Sequence, residues 1–117
     1  MNWVSKHLRS MARGERCLIN SPICNHNPET VVLCHGRKGK GLALKSCDSD
    51  TVFGCSDCNH YTDQYNAPRE QKDVYWISGK IRMANRMVSI SESMGRKPKD
   101  RQTAIEWLER QENETTV

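Results

Sequence analysis

Apolar residues in this chain form short runs in the first half and helix-spaced stripes in the second. Over residues 1–12, Trp3, Val4, Leu8 and Met11 alternate with Lys6, His7 and Arg9, which predicts a short amphipathic helix that stops near Gly14. Residues 15–30 read as a loop of turn formers, with Asn20-Ser21-Pro22 and then Cys24-Asn25-His26-Asn27-Pro28. Val31 to His35 is a β-branched run and reads as a strand that delivers His35 at its end. The basic, glycine-rich stretch from Gly36 to Gly41 breaks it, and Thr51 to Gly54 forms a second strand running into Cys55. A helix is expected from the Cys55–Cys58 turn to Tyr65, and a longer one begins with Pro68 in its first turn. Val74, Ile77, Ile81, Ala84 and Val88 recur at helical spacing and are expected to form its buried face. Gly95 to Pro98 ends that helix. Asp100 then caps a last one with Ala104, Ile105 and Leu108 inward, before a polar tail from Glu112.

Two short strands do not make a stable sheet alone, so something must tie the hairpin to the helix behind it. The expectation is a single α+β domain over residues 1–117. An N-terminal helix (1–14) and C-terminal helices (67–112) flank a small core (15–66). Hydrophobic residues are 36% of the chain and there is one Phe, enough for a modest core in which a metal staple would help. Trp3, Trp76 and Trp107 are expected in that core.

The net charge of +4 is unevenly spread: residues 1–47 carry eight Lys/Arg against two Glu, while residues 48–117 carry ten against twelve acids. A basic first half suits a phosphate-binding face, although a solvated surface alone would also account for it. No apolar run reaches the length of a membrane span and no signal peptide opens the chain, so a cytoplasmic location without membrane attachment is expected.

That compartment keeps thiols reduced, which turns six cysteines toward metal binding rather than disulfides. Cys55-Ser56-Asp57-Cys58 places two sulfurs on one tight turn at a helix start. Cys17 and Cys24 bracket a loop that Pro22 can bend back on itself. A structural Zn²⁺ on Cys17, Cys24, Cys55 and Cys58 would clamp both ends of the hairpin to the helix in a treble-clef arrangement. His26 or Cys34 could instead replace one of the first pair. Cys34 and Cys47 otherwise read as small core residues.

His35 is the sharpest catalytic candidate, because an imidazole at a strand end beside a basic loop can take a proton from water. Asn59 and Asp63 are four apart on the helix after Cys58 and share a face. Their oxygens suit a hard cation such as Mg²⁺ or Mn²⁺ opposite His35. Asp50 could orient the loop or the imidazole. Taken singly, each of these residues is as readily an ordinary surface or turn residue.

The order strand, His35, loop, strand, Cys55-x-x-Cys58, helix resembles the HNH, or ββα-metal, endonucleases with a zinc-stabilised treble clef. More closely, the run Ala12-Arg13-Gly14, Cys17, Pro22, Cys24-Asn25, Asn27-Pro28-Glu29-Thr30, Val32-Leu33, His35, Gly39, Lys45, Asp48, Cys55-Ser56 and Cys58 is similar to the prophage-encoded nuclease family that includes YbcO. The resemblance covers about residues 5–65. It implies a zinc-binding HNH-like fold, DNA as substrate, and a bacterial host in which phage recombination or replication proteins are partners. Arg37, Lys38, Lys40 and Lys45 would then contact phosphates, and Asp50 takes the place of the usual middle Asn. Where HNH sites often carry Asp or His just before the base, this chain has Cys34; after the last zinc cysteine it has Asn59, with His60 one step on. Beside the metal-dependent endonuclease stand two other readings. One is a non-catalytic zinc module that binds DNA or a recombination protein through the basic loop; the other is a zinc protein whose C-terminal helices mediate oligomerisation.

Overall fold

A computed structural model describes residues 3–36 and 47–115, with side chains to Gln111. The proposed phosphate contacts Arg37, Lys38, Lys40 and Lys45 therefore lie outside the described residues. Helix α1 (Lys6–Ala12) starts where Ser5 accepts the Leu8 N–H on its hydroxyl, and it ends before Gly14, whose φ of +91° suits only glycine well. Strands β1 (Val32–His35) and β2 (Thr51–Gly54) pair antiparallel, with Val32 opposite Gly54 and His35 opposite Thr51. Helix α2 (Ser56–Asp63) follows directly. Helix α3 (Arg69–Glu92) has Pro68 as its N-cap, and α4 (Pro98–Thr115) closes the fold. The result is an α+β unit of four helices and one two-stranded sheet. None of the described helices is long and apolar enough to cross a membrane.

The core lies where α1 and α3 pack on the sheet and α4 packs on both helices. Val52, Phe53, Leu8, Ile19, Met83, Met87, Ile90 and Trp107 are buried there, and Gly79 of α3 sits against Val52 and Ile19. Trp107 also donates its indole N–H to Thr51 Oγ1 at 3.2 Å. Trp3 and Trp76 pack on this core half-exposed rather than within it.

Two expected faces are corrected. Val74, Ile77, Ile81 and Val88 point outward on α3, Ala84 is half-buried against the core, and Lys72, Gly79, Met83, Met87 and Ile90 are its buried residues. Both stripes have helical spacing, and the more apolar one is not the one that meets the sheet; Gly79, on the other stripe, brings the helix close against Val52 and Ile19. On α4 the buried residues are Thr103, Ala104 and Trp107, whereas Ile105 is exposed. Asp100 lies inside the first turn and reaches His7 of α1 (2.6 Å) and Arg96 (3.2 Å) instead of capping the helix.

Ion pairs fix the N-terminal loop onto the helical layer. Arg86 grips the Glu15 carboxylate through two bonds of 2.7 and 3.0 Å, and Arg96 approaches the same group at 3.6 Å. Leu18 N–H donates to Phe53 O at 2.8 Å, so the segment carrying Cys17 lies along the end of β2.

Candidate functional site: a thiolate cluster and a histidine–aspartate pair

The Sγ atoms of Cys17, Cys24, Cys55 and Cys58 all lie within 4.8 Å of one another, and Cys24 and Cys55 are 3.8 Å apart. Tetrahedral Zn–S bonds of about 2.3 Å put sulfurs about 3.8 Å apart, so the donor set fits the ion. Backbone geometry builds the cage. Cys55 is the N-cap of α2, and its sulfur accepts the Cys58 N–H at 3.3 Å. The Ser21 N–H and hydroxyl meet the Cys58 sulfur at 3.3 and 3.1 Å. Asn20 and His26 hold φ near +55°, turning the chain tightly on either side of Cys24.

The thiols cannot all ionise side by side without a cation. A hydrogen bond from Cys58 holds Cys17 down at about 4, and the same bond pushes Cys58 up. Burial pushes Cys24 up to about 11. Neither alternative ligand joins the cluster: His26 Nδ1 stands 3.6 Å from Cys24 Sγ, and Cys34 Sγ faces the Gly54 carbonyl at 3.7 Å. Cys34 is a core residue as expected, whereas Cys47 is half-buried and meets the Trp3 N–H and the Ser49 hydroxyl.

The Asn25 to Thr30 stretch locks the cage to α2. Asn25 Nδ2 donates to Asp57 and Ser56 at 3.1 and 3.3 Å, its Oδ1 accepts from Asn27 N–H at 2.8 Å, and Thr30 Oγ1 accepts the Ser56 N–H at 3.4 Å. These hydrogen bonds brace the cysteine cluster against the start of α2.

On the far side of the hairpin, His35 Nε2 lies 2.8 Å from Oδ1 of Asp48, which is wholly buried. Asp48 also accepts the Ser5 N–H at 2.8 Å and two bonds from Arg9 at 3.2 and 3.4 Å. Burial alone would push this carboxyl up, but His35, Ser5 and Arg9 together outweigh it and hold it below its usual range. An ionised Asp48 only accepts, so Nε2 carries a proton, and in the neutral ring the lone pair is on Nδ1. That is the tautomer a proton acceptor needs.

His35 borders two depressions. One, of about 260 Å³, is lined by His35, Gly36 and Asp50 of the hairpin, Thr62 of α2, and Lys72, Asp73 and Trp76 of α3. The other, of about 500 Å³, runs past Arg9, Arg13, Glu29 and Thr30. Asp50 thus shares a cavity with His35, but it pairs with Lys80 at 3.3 Å and leaves the imidazole to Asp48. From α2 it is Thr62 that lines the first cavity; Asn59 is half-buried and Asp63 exposed on the same helix. Among the described residues, the cysteine cluster is the one group of three or more thiols, imidazoles or carboxylates close enough to share an ion.

Sequence reasoning missed three residues here. Asp48 appeared only as part of the family-like pattern, and Arg9 read as the polar side of an amphipathic helix. Lys72 gave no signal at all, yet it is only 7% exposed and its ammonium has no hydrogen-bond or ion-pair partner among the described residues. Buried lysines are seldom left unpaired, and this one faces a cavity.

The chain is similar to several known proteins. The family model described as "Putative nuclease YbcO" matches residues 6–96. Proteins of that name from Escherichia coli K12 and from Enterobacteria phage 82 are each 40% identical over 60 residues, 49% of this chain and 62% of theirs. The chain thus spans less than two thirds of the length of these curated relatives. The solved structure of a bacteriophage protein from E. coli K-12 superposes with a TM-score of 0.57 at 28% identity, covering 69% of this chain and 95% of the other.

Proposed function

Because the chain belongs to the YbcO nuclease family, we propose that it is an HNH-like, zinc-stabilised endonuclease that hydrolyses DNA phosphodiester bonds with a divalent cation. The observation that carries this reading is the His35–Asp48 pair at the edge of a cavity that also holds Lys72. Zinc on the four cysteines would hold the treble clef together, fixing the start of α2 against the hairpin, and would stand apart from the reaction.

In this reading Asp48 fixes the imidazole ring and stabilises the cation formed when His35 Nδ1 accepts a proton from the attacking water. Arg9 keeps Asp48 ionised at rest, so the proton stays on His35 and is not passed inward. Lys72 contributes a positive charge at the phosphate, with its stem already ordered by burial. Asp50 and Lys80 brace the hairpin end, where Gly36 N–H bonds Asp50 O at 2.9 Å. A Mg²⁺ or Mn²⁺ ion on the oxygens of Asn59 and Asp63 would supply charge stabilisation to the phosphate and leaving oxygen. Arg9 and Arg13 offer a basic path for the DNA backbone. Arg37, Lys38, Lys40 and Lys45, which follow Gly36 in the sequence, would add further phosphate contacts.

The test is incubation of zinc-loaded protein with supercoiled, branched and single-stranded DNA, with and without Mg²⁺ or Mn²⁺. Cation-dependent nicking of any substrate supports the proposal. Salt-sensitive binding without products from any of them would leave a DNA-binding module instead.

A further inference from the structure

The bare face of α3 is complementary to itself. Val74, Ile77, Ile81 and Val88 are 61, 59, 60 and 42% exposed on the side of the helix opposite Gly79, Met83, Met87 and Ile90. Val74 and Val88 stand seven residues before and after Ile81, which is two helical turns, or about 10.5 Å, each way. Ile77 and Ala84 lie between them on the two sides. Laid antiparallel on a second α3 with the two-fold axis at Ile81, the stripe puts Ile81 on Ile81, each Val74 on the other's Val88, and each Ile77 beside the other's Ala84. A surface that meets its own copy in this way satisfies the requirement for a closed two-fold contact.

Charge narrows the occupant further. Between Glu70 and Glu92 the centre of the outward face presents Val74, Ile77, Ile81, Asn85 and Val88, and the exposed charges Asp73 and Arg82 flank it. The neighbouring cations are turned to their own chain: Lys80 bonds Asp50 and Gln111, and Arg82 donates to Leu18 O at 2.8 Å. A nucleic acid or an anionic bilayer would need free Lys or Arg here, and the face instead ends in acids.

We infer that α3 pairs antiparallel with α3 of a second copy of this chain, making a two-fold dimer that does not depend on the nuclease reading. Glu70 of each copy then meets Glu92 of the other at the exposed ends, so the dimer tightens as salt screens these like charges.

Sedimentation velocity of the full chain from low to high micromolar concentration is the first test, with a shift from 13.4 kDa to twice that mass expected. Ile81→Glu places two carboxylates at the axis and should weaken association at least about a hundredfold, with the circular dichroism and zinc content of the parent. For orientation, Val74→Cys mixed with Val88→Cys should give a crosslinked pair beyond what either variant forms alone. Monomer at every concentration overturns the proposal and assigns the face to another protein or chain segment. A dimer indifferent to Ile81→Glu, or Val74→Cys crosslinking chiefly to itself, overturns it equally.

Discussion

His35 Nε2 and the buried Asp48 Oδ1 are 2.8 Å apart, although thirteen residues separate them and β1 and β2 pair around that interval. Asp48 is reached from the other side by Ser5 and Arg9, so α1, the strand end and the turn before β2 meet on one carboxylate. Asp48→Asn should therefore lower nicking by at least about a hundredfold, because the imidazole loses its fixed tautomer. It should also cost about 3 kcal/mol of stability through the loss of the buried charge opposite Arg9. A kinetic assay and urea denaturation of the same preparation measure the two effects.

The same carboxylate gives a pH dependence whose sign is fixed. Its folded-state pKa lies below the unfolded value of about 3.9, so its contribution is complete above that value and is lost as pH falls through the lower, folded one. Asp100, held down by His7 and Arg96 against the opposing effect of burial, behaves alike. The stability gap between the parent and Asp48→Asn should narrow as pH drops below about 4. Denaturation across that range checks it.

Much of this was legible in the sequence, and what was not has a common cause. The hairpin and α2 could be placed within a residue or two because turn formers and the Cys55-x-x-Cys58 knuckle bound them tightly. The four cysteines were found because a metal demands a fixed donor chemistry. The inward face of α3 was misread because periodicity shows that a stripe exists, not which stripe meets the sheet; a close approach at Gly79 decided that. Asp48 and Lys72 owe their roles to burial beside residues distant in sequence, and a one-dimensional pattern carries no burial.

Removing the cage should remove most of the fold. Cys58→Ser, or prolonged chelation, is expected to release one zinc per chain and to cost about 5 kcal/mol or more, a large part of the stability of a domain this size. Elemental analysis with thermal denaturation reads both. His35→Ala, on the other side of the hairpin, should leave zinc content unchanged.

Lys72→Met keeps the buried stem and deletes the charge. Nicking should fall about tenfold to a hundredfold, and the slope of log binding constant against log salt should decrease by about one, the loss of a single phosphate contact. Titrations at several salt concentrations measure the slope, and an unchanged slope would place Lys72 outside the phosphate path.

Tyr61 offers a control that is not itself one of the proposed reacting groups. Its hydroxyl is buried with no hydrogen-bond partner among the described residues, against the rings of Tyr65 and Tyr75. Tyr61→Phe removes an unsatisfied polar atom, so it should raise stability by about 1 kcal/mol and leave nicking as it was. Denaturant midpoints decide the point.

The most direct measurement of the central claim is plasmid nicking by zinc-loaded His35→Ala, with Mg²⁺ or Mn²⁺, before and after free imidazole is added. Loss of nicking by at least about a hundredfold at parental zinc content, with partial recovery on imidazole, is the expected result for a proton acceptor held by Asp48. Nicking by His35→Ala at the parental rate would contradict it.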